Sequence, residues 1–264
     1  MYQNLLKLNP DKTEFILIGN LWHRRKFAPE FPIDILGNKL NPASYVRNLG
    51  VTFDADFNFQ RHVNNVVKSC NYFIRDLRRV RKFLNIKAAT ALANALVSSR
   101  LDYCNSLLYA VPEGYKKKLQ CVQNSLARVV TQSSNFTFVA DADSKTPYIK
   151  SAVLLDKLHW LPVSSRINFK IATLTYKAIH SHQPPSLSKL IHVRDINRSL
   201  RSQIAPILTS PPAKTFGLRS FSSVAPSVWN AIPADIRLSP SLSVFRRQLK
   251  KHYYPKSPTS QENG

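Results

Sequence analysis

Acidic side chains are scarce in this chain. Against 15 Asp and Glu stand 38 Lys and Arg over 264 residues, a formal net charge of +23. A compact body with that charge repels itself unless a polyanion neutralises it. Nucleic acid is the favoured partner, because each phosphate contact releases condensed counterions. An anionic membrane surface is the rival, but it prefers one basic amphipathic helix or a single juxtamembrane cluster. Here the cations are spread along most of the chain, which is the pattern of a nucleic-acid binder.

Cysteine is nearly absent. Cys70, Cys104 and Cys121 are odd in number and widely spaced, which points to thiols in a reducing, intracellular compartment (nucleus or cytoplasm) and not to a disulfide framework. None has zinc-finger spacing, and His159, His180, His182 and His192 form no ligand pattern with them. No apolar run is long enough to span a bilayer, and the first residues lack the layout of a signal peptide. Only six glycines occur, and none builds a Gly-rich phosphate loop. HExxH and Ser-nucleophile motifs are missing too. These absences leave no metal site, no cofactor and no small-molecule substrate to expect.

Two constellations invite a catalytic reading, and each has a plainer one. Asp54 and Asp56 would share a face on a strand, as two-metal chemistry requires. They sit where a strand gives way to a helix, however, where Asp commonly serves turns and caps. Cys104, in Asp102-Tyr103-Cys104-Asn105, falls inside an apolar helical stretch and reads as a buried thiol. Tyr72, Tyr103, Tyr109, Trp160, Trp229, Tyr253 and Tyr254 could stack bases, but most lie beside apolar helical positions and read as core.

What the chain does have is a change of period. Up to about Asp56 it reads as strands and turns, after a start that looks like the end of a helix. Asn9-Pro10-Asp11 is a turn signal, and Thr13 to Ile18 reads as a strand. Phe31 to Leu40 alternates around Gly37-Asn38, a two-residue hairpin signal. Tyr45 to Asp54 reads as a third strand, with Gly50 marking a bulge or close approach. From about Asn58 the period becomes helical. Val63, Val66, Val67, Cys70, Phe73, Ile74, Leu77, Val80 and Leu84 fall on one face. Lys68, Arg75, Arg79 and Lys82 fall on the opposite one. Only Asp76 offsets these cations, so the spacing predicts a ladder of phosphate contacts on a helix packed by its other side.

Further helices follow. One runs from about Lys87 to Tyr109 with Asn85 as N-cap. The next carries Leu119, Val122, Leu126 and Val129, with Lys116, Lys117 and Lys118 in its first turn, against the helix dipole. Residues 131–147 read as a loop. A short helix then covers about Val153 to Leu158. Another is capped by Ser164 or Ser165, with Ile167, Ile171, Leu174 and Ala178 inward and Arg166, Lys170 and Lys177 on another side. Residues 197–212 read as an irregular connection. A last helix is expected to be capped by Ser239, with Leu242, Phe245 and Leu249 inward and Arg246, Arg247, Lys250 and Lys251 outward. Residues 257–264 read as a disordered tail.

Several blocks together resemble a known family. "LKLNPDKTEFILIG", "VRNLGVTFDADFNFQRHV", "IRDLRRVRKFL", "ALVSSRLDYCNSLLYAVP", "LQCVQNSLARVVT", "LHWLPVSSRINFKIATLTYKAIH" and "APSVWNAIPADIR" look like the carboxyl-terminal part of the reverse transcriptase of LINE-type, non-LTR retrotransposons. The resemblance covers nearly the whole chain, in the family's order. It implies an α+β, mainly α chain. A small strand and hairpin remnant of the polymerase palm would occupy residues 1–57 and a helical thumb 58–131. A linker would span 132–150, a helical carboxyl-terminal region 151–255, and a tail 256–264. Lys12 would match the palm motif near the incoming triphosphate. Leu49, Gly50 and Val51 would match the hairpin that grips the primer end. The thumb would hold RNA, DNA or their hybrid. The family's RNA-directed DNA polymerase uses magnesium held by a Tyr-x-Asp-Asp turn and an upstream Asp, which in the family precede the block containing Lys12. On this resemblance the chain is expected to be a truncated transposable-element fragment, not an enzyme by itself. The alternatives are a non-catalytic helical protein-interaction module, or reverse transcription only with the palm supplied in trans.

Overall fold

The computed structural model describes residues 9, 12–27, 32–35, 37–133, 151–194, 205–213 and 215–254. The expected first helix end, most of the loop at 131–147, part of the connection at 197–212 and the tail at 257–264 lie outside them. The chain is mainly α, with a small strand region near its start. It divides into two compact units, residues 1–66 and 67–264.

The first unit is built around two hairpins. β1 (Ile33–Ile35) pairs antiparallel with β2 (Asn38–Leu40), and Ile35 faces Asn38 across the ladder. The two-residue loop therefore comes one position earlier than Gly37-Asn38. Gly37 takes φ +83°, a left-handed conformation that costs glycine nothing, and its N–H donates to Asp34 Oδ1 at 2.8 Å. The expected single strand from Tyr45 to Asp54 is instead a second hairpin, β3 (Tyr45–Asn48) against β4 (Val51–Asp54). Leu49 and Gly50 form its tip, at φ +46° and +82°. Two successive positive φ angles turn the chain tightly between twisted strands, so Gly50 marks a reversal and not a bulge.

The segment Thr13 to Ile18 is not a regular strand. It makes one isolated parallel bridge, Ile16 to Ala43. A helix that the alternation did not reveal, α1 (Leu21–Phe27), follows Asn20. Behind β4, Val51, Ala55, Phe59 and Val63 are buried. The rings of Phe53, Phe57 and Phe59 meet at centroid distances of 5.0–6.0 Å. The paired acids serve the turn that follows β4. Asp54 Oδ1 accepts from Asn58 N at 2.7 Å, and Asp56 pairs with Arg24. Together they shape the entry to α2 (Gln60–Val80).

In the second unit the helices pack on one another. α3 (Ile86–Ala93) begins at Asn85, whose side chain accepts from Ala88 N as an N-cap should. It continues through a π turn at Asn94–Ser98 into α4 (Ser99–Asp102). There the expected long helix stops, short of Tyr109. Cys104 adopts φ +51° and leads into a 3₁₀ turn at Asn105–Leu108. Cys104 is exposed, not buried in a helix.

α5 (Glu113–Thr131) packs against α3, α6 (Ser151–Lys157) and α7 (Val163–His180). Its Lys116 Nζ lies 2.9 Å from Glu113, which offsets the lysines of that first turn. α7 starts at Val163, before either serine expected to cap it. Its first N–H is taken by Gln120 Oε1 of α5 at 2.8 Å. Gln120 in turn donates to Gln123, and Gln123 Nε2 donates to the Leu161 carbonyl at 2.9 Å.

After the short α8 (Pro185–Ser188), α7 is covered by α9 (Phe221–Asn230) and α11 (Leu242–Tyr253), with α10 (Ala234–Arg237) between them. Tyr176 stacks on Phe245 at 4.5 Å, beside the fully buried Trp229. The polar ends of Tyr176 and Trp229 are satisfied. Tyr176 donates to the Ser239 carbonyl and Trp229 Nε1 to the Pro206 carbonyl. The cap of α11 is Ser241, which accepts from Val244 N, and not Ser239.

Candidate nucleic-acid interface

The helical part of α2 that lies in the second unit is strongly two-faced. Cys70, Ile74 and Leu77 are buried. Burial pushes the Cys70 thiol up to about 11, against the opposing pull of Arg100. That guanidinium stands 4.1 Å from the Phe73 ring centroid. On the other side Lys68, Arg75 and Arg79 are exposed, and Lys82 is exposed on the 3₁₀ turn Arg81–Phe83 that follows. At 1.5 Å per residue, about 10.5 Å of axis separates Lys68 from Arg75 and about 6 Å separates Arg75 from Arg79. Asp76 lies 3.5 Å from Arg79 on the exposed surface, where such a pair holds a cation only weakly.

Two aromatic rings flank the ladder. Tyr72 is 54% exposed and Phe83 77%. The Arg75 guanidinium lies 5.4 Å from the Tyr72 ring centroid, and Lys82 Nζ 4.8 Å from that of Phe83. Cations beside exposed rings combine phosphate attraction with stacking surface.

The apolar stripe ends earlier than its period implies. Val80 is 44% exposed, and Arg81 is buried in its stead at 7%. The last carbonyls of a helix have no intrahelical partner, and Arg81 takes one of them. Its Nε and Nη2 donate to the Val130 carbonyl of α5 at 2.9 and 2.7 Å, and Nη1 donates to the Leu84 carbonyl at 2.6 Å. This joint brings the end of α2 to the end of α5 and leaves a cavity of about 380 Å³ lined by Arg78, Arg81, Lys82 and Arg128, with Gln132 and Ser133.

Sequence reasoning missed Arg78 and Arg128. Arg128 lies on another helix, and only the Arg81–Val130 joint makes it a neighbour of Lys82. No spacing within α2 carries that information.

Comparison with family models, with curated proteins and with solved structures finds no match for this chain. The two predicted palm positions lie in the first unit. Lys12 is exposed beside a turn in which Thr13 Oγ1 donates to the Asn9 carbonyl. Leu49, 84% exposed, and Gly50 form the tip of the β3–β4 hairpin. Among the described residues no three His, Cys, Asp or Glu side chains come together as a metal site, and no helix is long and apolar enough to cross a membrane. Of the aromatics, Trp160, Tyr176 and Trp229 are core, while Tyr72 and Tyr103 are exposed.

Proposed function

We propose that this chain binds RNA, DNA or their hybrid through phosphates, as the thumb of a non-LTR reverse transcriptase would, and that it does not itself polymerise. The observation that carries the reading is the ladder. Lys68, Arg75 and Arg79 stand in line on the exposed face of α2 and lead to Lys82 at a cavity with three arginines. The motif blocks that resemble the family support it, as does the net charge of +23. The role is electrostatic positioning, in which each cation replaces the counterions of a phosphate.

The test is duplex and hybrid binding across a salt series, with the native chain beside a variant carrying alanine at Lys68, Arg75, Arg79 and Lys82. A second reading, a helical module that docks on protein, is favoured by the exposed apolar Val80, Phe83 and Ile86 at the end of the ladder. Binding that survives high salt would favour it. As to catalysis, the 264 residues contain no Asp-Asp pair, and the purified chain is expected to add no nucleotide to a primer with magnesium present. Primer extension by this chain alone would overturn that part of the proposal.

A further inference from the structure

A second cavity in the second unit lies apart from the ladder and is larger than the one there. It measures about 660 Å³ and opens between the π turn, the Leu158–Leu161 segment, α7 and α11. Its size is that of a small-molecule pocket, roughly 300–1,000 Å³, although the motifs of the chain gave no reason to expect one.

Its lining is sorted by chemistry. Uncharged polar groups come from Asn94, Ser98 and Asn105, and an aromatic wall from Trp160 and Phe169. Cations come from Lys170 of α7 and from Arg246 and Lys250, one turn apart on α11. All three of these cations are exposed, and the Arg246 guanidinium lies 5.9 Å from the Phe169 ring centroid. Arg166 also lines the cavity, but its charge is spent on Asp102, which accepts from Arg166 Nε at 2.8 Å and from Asn105 Nδ2 at 3.2 Å.

Two polar atoms among these residues are unsatisfied. Ser98 and Asn105 are 5% and 3% exposed, and Ser98 Oγ and Asn105 Oδ1 are buried without a hydrogen-bond partner. An unpaired buried polar atom is a cost that native folds rarely carry without a reason. The backbone beside them is irregular as well. At the π turn the Ser99 N–H reaches back five residues to the Asn94 carbonyl, a departure often found where helices serve a site.

We propose that this cavity seats one nucleotide of a single strand, its phosphate against Lys170, Arg246 and Lys250 and its base among Asn94, Ser98, Asn105 and the aromatic wall. Inorganic phosphate would engage the cations and leave the polar interior unused. A nucleotide carries an anion and a flat heterocycle with donors and acceptors, which matches both halves of the lining. The proposal rests on the nucleic-acid reading above for its choice of partner, but on different residues.

The experiment is calorimetric titration of the full chain with each nucleoside monophosphate and, separately, with inorganic phosphate and hexaglutamate. The monophosphates are expected to bind at least tenfold more tightly than phosphate. The double variant K170E/K250E should weaken that binding by tenfold or more. Both positions are exposed, and circular dichroism checks the fold. Should the double variant not fold, Lys250→Ala is expected to weaken binding at least threefold. The ladder variant should bind monophosphate within twofold of the native chain. Phosphate or hexaglutamate binding as tightly as nucleotide would overturn the proposal. So would the absence of saturation at millimolar nucleotide, or unchanged binding in the charge variants. An unchanged duplex salt slope in the ladder variant would count against the ladder alone and leave the cavity standing.

Discussion

Replacing Lys68, Arg75, Arg79 and Lys82 together by alanine should change how the protein responds to salt more than how it folds. All four side chains are exposed, and alanine is the better helix former at the three that lie on α2, so the helix itself is not weakened. On a B-form duplex each neutralised phosphate contributes about 0.9 to the slope of log affinity against log salt. Four such contacts give at most about 3.6. Arg79 shares its charge with Asp76 at 3.5 Å, which brings the expected change to about 3. Over a fourfold rise in salt, from about 50 to 200 mM, the native chain should therefore lose about 60-fold more affinity than the variant. Fluorescence anisotropy of a labelled duplex at five or six salt concentrations reads this directly. Slopes that agree within about one unit, with the fold intact by circular dichroism, would refute the assignment of these side chains to phosphates.

Other outcomes follow from the same geometry. Arg81→Met should destabilise the second unit by about 3 kcal/mol, because it strips the Val130 and Leu84 carbonyls of a charged donor while the site stays buried. Equilibrium urea unfolding measures the loss, and a change below about 1 kcal/mol would show the joint to be dispensable. Lys at that position should restore little, since an ammonium lacks the planar fork that reaches both carbonyls. Iodoacetamide at pH 8 should modify Cys104 and Cys121 in the native protein, because both are exposed. Cys70, buried and with its thiol pushed up to about 11, should react only after unfolding, since the thiolate is the reactive form and is scarce three units below that value. Equal labelling of all three in the native state would contradict its placement.

The ladder was legible because it rests on one physical rule. A helix with apolar residues at 3.6 spacing must turn its other face outward, and Lys68, Arg75 and Arg79 occupy that face. Asn85 was legible for a similar local reason, as a side chain that accepts from its own helix three residues on. The β1–β2 hairpin could be read to within one residue of its tip. What could not be read depends on partners distant in sequence. Val80 holds a position on the apolar stripe, yet Arg81 is buried in its stead because the unsatisfied end of α5 lies beside it. Local rules place the start of α7 at a serine, whereas Gln120 provides the acceptor from 43 positions away. Cys104 reads as buried from the apolar helical stretch in which it falls, whereas its own left-handed φ of +51° lies just past the end of α4 and its thiol is exposed. The 660 Å³ cavity draws its lining from four separate stretches, residues 90–105, 158–161, 166–173 and 246–250, and no local pattern in any of them announces the others.

The two glutamines on α5 have a mechanical effect. Gln120 holds the first amide of α7, and Gln123 holds the carbonyl of Leu161 just before it. Like a pawl engaging adjacent teeth, they fix the axial position of one rod against the other. A slip of either by one turn would leave both contacts empty at once, so the pair is built to travel as a single strut.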